Sequence, residues 1–220
     1  MLKNYEIKLS FIEKEIITLA QKIIQSNKLI LIALEEKDNL KYIEAKELLK
    51  HFAKSTHAVD NDLVKILALF SPEAKDLRQV VSFLKVTNEL NRAAIKTRKY
   101  IRSISQHSND DFFNDIVLEY SIPMQKETIS ALEFAIAITK LDNTESIKVH
   151  LRSTELSENK TSQLYAMIEK SMFQVMCDTT NDTKEYLDVL TSFRGLDKIA
   201  DRALSIAKLL LYAKVGGEIE

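Results

Sequence analysis

Residues 1–194 contain no glycine, and the whole chain of 220 residues holds only three glycines and two prolines. That is about 2% of the chain, where roughly 12% is usual. Strand-rich folds need tight turns at short intervals, and hairpin turns favour Gly or Asn-Gly because their central residues take positive φ. A chain so poor in turn formers excludes a β-sandwich, a barrel and a doubly wound α/β fold. It equally excludes the Gly-rich loops that cradle phosphates. What remains is an all-α protein of long helices.

The spacing of apolar residues supports this. Leu2, Tyr5, Leu9, Ile12, Ile16, Leu19 and Ile23 advance in steps of three and four, a seam that Ser26 interrupts and Ile30 and Leu34 resume. The first helix is expected over about 3–36. Asp38 is a plausible N-cap for a second helix reaching Phe70, with Leu40, Ile43, Leu48, Leu49, Phe52, Val59, Leu63, Ile66 and Leu67 on its apolar face. Ser71-Pro72-Glu73 combines a preferred N-cap, a proline suited to the first helical position and an acid in the first turn, so a third helix is expected over about 72–105. A fourth helix runs to about Leu141, with Pro123 kinking it or marking its start. Asp142-Asn143 opens a fifth reaching about Asp178. Thr179–Asp182 reads as a turn, and the sixth ends near Lys214, ahead of Gly216-Gly217.

Six helices of roughly 30 residues, each near 45 Å long, suggest two tandem three-helix bundles. Shifting the third helix by 106 residues lays Val81 on Leu187, Leu84 on Leu190, Leu90 on Leu196, Arg92 on Lys198, Ala94 on Ala200 and Ile104 on Leu210. The polar stretch His107–Asp111 divides the chain, giving repeats over 1–108 and 109–220.

Charge is balanced, with 31 Lys+Arg against 32 Asp+Glu, so no net field draws the chain to nucleic acid or to an anionic membrane. The N-terminus lacks the apolar core of a signal peptide, and the clearest apolar run, Leu29–Leu34, is too short for membrane insertion. One cysteine, Cys177, suits a reducing compartment. A cytoplasmic location is expected.

Few constellations carry chemistry. His51, His57, His107 and His150 form no H-E-x-x-H pair and read as surface or boundary residues. Cys177, next to Met176, reads as a core thiol, since no base is identifiable. Lys96, Arg98, Lys99 and Arg102 surround Tyr100 as a solvated helix face, contact with an acidic partner being the alternative. Asp197 and Asp201, one helical turn apart, share a face and repel by a few tenths of a kcal/mol unless neutralised. A hard cation could neutralise them, and so could Arg194 one turn earlier.

The stretch Ser71-Pro72-Glu73-Ala74-Lys75-Asp76-Leu77-Arg78, continued by Leu84-Lys85, resembles the P-x-A-x-D-L-R…L-K signature of PhoU proteins. Leu196-Asp197-Lys198-Ile199-Ala200-Asp201-Arg202-Ala203, then Ile206-Ala207, is similar to that family's L-E-R-I-x-D-x-A…I-A helix. The resemblance covers nearly the whole chain. It implies two three-helix bundles related by a pseudo-twofold axis, and a homodimer. It implies a non-enzymatic regulator that couples the nucleotide-binding subunit of a phosphate ABC importer to a sensor histidine kinase and represses phosphate-starvation genes. Some members of the family hold metal clusters on an E/D-x-x-x-D pair in the third helix of each bundle. Here that pair survives as Asp197 and Asp201, whereas the counterpart positions are Asn91 and Ile95. Leu49, Ser157 and Thr161 stand near the acidic positions expected on the neighbouring helices. At most one weak site for a divalent or iron ion is therefore implied, in the second repeat. The alternatives are a generic coiled-coil interaction protein and a metal-dependent helical-bundle enzyme. The latter needs Glu-x-x-His pairs that this chain lacks.

Overall fold

The computed structural model describes residues 2–107, 116–178 and 183–217. The described residues are almost entirely helical: α1 (Leu2–Glu36), α2 (Asn39–Leu48), α3 (Phe52–Phe70), α4 (Ala74–His107), α5 (Ile116–Ala137), α6 (Thr144–Asp178) and α7 (Thr183–Val215), with a 3₁₀ turn at Ile138–Lys140 after α5. The expected all-α, long-helix fold is found. The division at 108/109 and the turn at Thr179–Asp182 lie outside the described residues, as do the side chains of Cys177 and His107.

Several expected boundaries hold for the expected reasons. Asp38 caps α2, its Oδ1 accepting from the Leu40 amide at 2.9 Å. Asn143 caps α6, its side-chain oxygen accepting from the amides of Glu145 and Ser146. Gly216 stops α7 at φ +92, a value an L side chain rarely adopts, and an added Cβ there would lie 2.8 Å from Arg78 Nη1. Pro123 lies inside α5 and does not mark its start.

Two boundaries differ. The second predicted helix is broken at Leu49–His51 into α2 and α3. The apolar face drawn along it is correspondingly split: Leu49, Phe52, Val59, Leu63 and Ile66 are buried, while Leu40 and Ile43 are each 66% exposed and Leu48 sits at 36%. Tyr42 and Ala45 face the core in their place. Ser71 does not cap the next helix. It takes a left-handed conformation, φ +42, and closes α3 through its amide to the Leu67 carbonyl, so α4 starts at Ala74.

Helices α1 to α4 form the first half and α5 to α7 the second. Along the contact between the halves, α4 lies against α7 and α1 against α5. The buried side chains form one continuous core through both halves. Of the pairs related by the 106-residue shift, Leu90/Leu196, Ala94/Ala200 and Ile104/Leu210 are all buried, whereas Leu187 is 47% exposed. Helix α1 is long and apolar enough by composition to cross a membrane, but half of its most apolar window is buried against the other helices.

The Ser26 interruption of the α1 seam becomes a buried polar layer. Ser26 donates to the Ala45 carbonyl at 2.9 Å. Asn27 Nδ2 donates to the Ile23 carbonyl at 2.8 Å and lies 3.4 Å from Thr97 Oγ1. Gln125 Nε2, on α5, donates to Asn27 Oδ1 at 2.8 Å and to its carbonyl at 3.1 Å. All four side chains are fully buried, so the two halves are registered by hydrogen bonds that exclude water.

Candidate functional site

Asp197 and Asp201 lie on the face of α7 that meets α6. The seam Leu196, Ile199, Ala200, Ala203 and Ile206 anchors that helix in the core and fixes the direction of both acids. Asp197 is buried, at 6% exposure, and its Oδ1 accepts from Ser162 of α6 at 2.6 Å. Burial keeps solvent from neutralising Asp197, and among the described residues Arg194 forms no ion pair with either acid. The Lys198 ammonium does, 2.6 Å from Asp201 Oδ2 and 3.3 Å from Asp197 Oδ2. The hydrogen bond to Asp201, reinforced by the charge of Asp197, raises the Lys198 pKa above the ordinary lysine value.

A third carboxylate joins them. Glu158 of α6 lies with its Oε1 3.4 Å from the Ser162 hydroxyl. Burial, then the adjacent charge of Asp201, push its pKa above the usual carboxylate value. Ser157 and Thr161, the positions on this helix that the family resemblance points to, are one position out of register. Both are buried, and Thr161 spends its hydroxyl on the Ser157 carbonyl at 2.8 Å. A shift of one residue, to Glu158 and Ser162, finds the groups that meet Asp197 and Asp201.

As a metal centre this donor set does not fit. The ammonium of Lys198 stands between the two aspartates, where an incoming cation would need their oxygens. Among the described residues no group of three or more His, Cys, Asp or Glu is placed to hold a metal ion. In the first half, Asn91 is half-buried and Ile95 is 44% exposed. Of the histidines, His51 and His57 are exposed, and His150 sits edge-on to Phe134 with Nδ1 2.9 Å from the Ser146 carbonyl.

Beside the acid cluster runs a groove of ≈ 870 Å³ across α4, α6 and α7, lined among others by Lys85, Glu89, Glu155, Asp201, Arg202 and Tyr212. Arg202 bridges it to Glu89 of α4 at 3.0 Å. Arg78, from the Ala74–Arg78 stretch, lies over the Tyr212 ring at 5.7 Å. The start of α4 thus packs on the end of α7.

Comparison with known proteins places this arrangement. The family model of the PhoU domain matches residues 16–104. A PhoU homolog of Streptococcus pneumoniae, named a phosphate-specific transport system accessory protein, is 21% identical over 224 residues, 98% of this chain and 97% of that protein. The chain is similar to PhoU proteins, by a PhoU-domain match over part of its length and by that homolog over nearly all of it. The PhoU accessory protein of Edwardsiella tarda is 25% identical over 156 residues, 70% of this chain and 61% of its own length, so the match spans less than two thirds of that relative. Among solved structures, PhoU from Pseudomonas aeruginosa superposes with a TM-score of 0.84 at 17% identity, covering 97% of this chain and all of the other. The Streptococcus pneumoniae PhoU structure gives a TM-score of 0.81 at 19% identity over 98% and 99% of the two chains. At these identities the superpositions establish the PhoU fold.

Proposed function

We propose that this PhoU-like chain is a cytoplasmic, non-enzymatic accessory regulator of phosphate uptake. It acts as a homodimeric adaptor between the nucleotide-binding subunit of a phosphate ABC importer and a sensor histidine kinase. The observation that carries the reading is the end-to-end match to a phosphate-specific transport system accessory protein. An adaptor role also suits long helices built with no glycine before residue 195, which offer extended faces and no phosphate loop. The two halves, 1–108 and 109–220, are read as tandem repeats whose last helices, α4 and α7, pack together. Purified chain mixed with the importer's nucleotide-binding subunit is expected to co-elute with it in size-exclusion chromatography. Separate elution at micromolar concentrations of both would count against the adaptor role.

Within this role the acids of α7 form an internal ion cluster closed by Lys198, without a resident metal. Calorimetric titration with Mn²⁺ is expected to give no saturable heat for the wild type. Saturable binding that disappears in Asp197→Asn/Asp201→Asn would show that the ammonium yields its place to a metal ion.

A further inference from the structure

We propose that the outer face of α4 is a docking strip for an acidic helical segment of a protein partner. Lys85, Asn88, Arg92, Ile95, Lys99 and Arg102 advance in steps of three and four, so they stack along one side of the helix. All six are exposed, while Phe83, Val86, Leu90 and Ile101 hold the opposite side in the core. The eighteen residues of helix from Lys85 to Arg102 make this strip about 26 Å long. Lys85, Lys99 and Arg102 have no ion pair among the described residues, and Arg92 reaches only Glu89, loosely, at 3.8 Å. The flanking acids are turned to other partners: Glu89 to Arg202 of α7, and Asp60 of α3 to the hydroxyl of Thr87. Four cations thus stand on one helical edge of a chain whose net charge is −1.

Two features select a narrow protein segment as occupant. The groove beside the lower end of the strip is lined by Glu89, Glu155 and Asp201 and also by Lys85, Arg202 and Lys208, a mixed-sign surface that a flat anionic membrane would cover and a narrow segment lying along α4 avoids. At the middle of the strip Ile95 presents an apolar side chain at 44% exposure. An amphipathic helix with carboxylates at three- and four-residue spacing and one central apolar residue complements this pattern. The inference stands apart from the phosphate-uptake role, because it rests on the charge pattern of α4 alone.

The probe is a labelled helical peptide of about 20 residues carrying Glu every third or fourth position and a central Leu, titrated with the full chain at roughly 50 mM salt. Arg92→Glu/Lys99→Glu/Arg102→Glu is expected to weaken its binding about tenfold or more, and rising salt to erase the difference. Lys46→Glu/Lys54→Glu, exposed cations on α2 and α3, should leave binding unchanged. Ile95→Gln should weaken binding of the Leu peptide but not of its central-Gln counterpart. Equal binding by wild type and triple variant would overturn the proposal. So would loss, in the triple variant, of binding to phosphatidylglycerol vesicles that the wild type holds more tightly than the peptide.

Discussion

Asn27→Leu is expected to lower the unfolding free energy by roughly 2–4 kcal/mol, measured by denaturant titration. The substitution keeps approximate size but removes the side-chain oxygen that accepts from Gln125 and the amide that reaches Ile23 and Thr97. Gln125 is fully buried and cannot turn to water. One of its donors is left unpaired, which costs about 1–3 kcal/mol by itself. Asn27→Leu/Gln125→Leu removes both partners and should be more stable than Asn27→Leu alone, because no orphaned polar group remains. A neutral Asn27→Leu would mean that the polar layer does not register α1 against α5.

Phe193→Ala is expected to cost about 3–5 kcal/mol. Phe193 is fully buried on α7 and lies 6.5 Å, centroid to centroid, from the buried ring of Tyr100 on α4. The pair sits in the contact that joins the halves, so its loss weakens both. For a chain of this length the midpoint of thermal unfolding should fall by about 10 °C. Because the core is continuous, calorimetry should show one transition in the wild type. Two separated transitions, with only one shifted by Phe193→Ala, would show that each half is stable without the other.

Local signals in the sequence resolved well. The caps at Asp38 and Asn143 and the stop at Gly216 each depend on a residue's own backbone chemistry, and each stands where that chemistry places it. The break at Leu49–His51 was hidden because apolar spacing runs straight through it, from Leu40 to Leu67, and contains neither Gly nor Pro. Ser71-Pro72 was ambiguous for another reason: serine can open a helix, but here the left-handed turn that ends α3 claims it first. The candidate site was half legible. Spacing along α7 put Asp197 and Asp201 on one face, and it could not say what α6 lays against them. Ser162, Glu158 and the burial of Asp197 are properties of a pair of helices, as is the bond between Asn27 and Gln125, 98 residues apart. Spacing offers Arg194 or a hard cation as the neutralising charge and passes over Lys198 for a related reason. Arg194 is one turn away by the helical rule, yet the flexible chain of Lys198, the immediate neighbour of Asp197, folds back between the two carboxylates.

The role in phosphate uptake is tested most directly in the cell. The gene is deleted, and a reporter driven by a phosphate-starvation promoter is read in phosphate-rich medium, with and without the gene restored. Regulation by this chain predicts that the reporter is silent in the wild type, strongly expressed in the deletion strain, and silent again on restoration. Unchanged reporter expression in the deletion strain, with phosphate uptake at its normal rate, would contradict it.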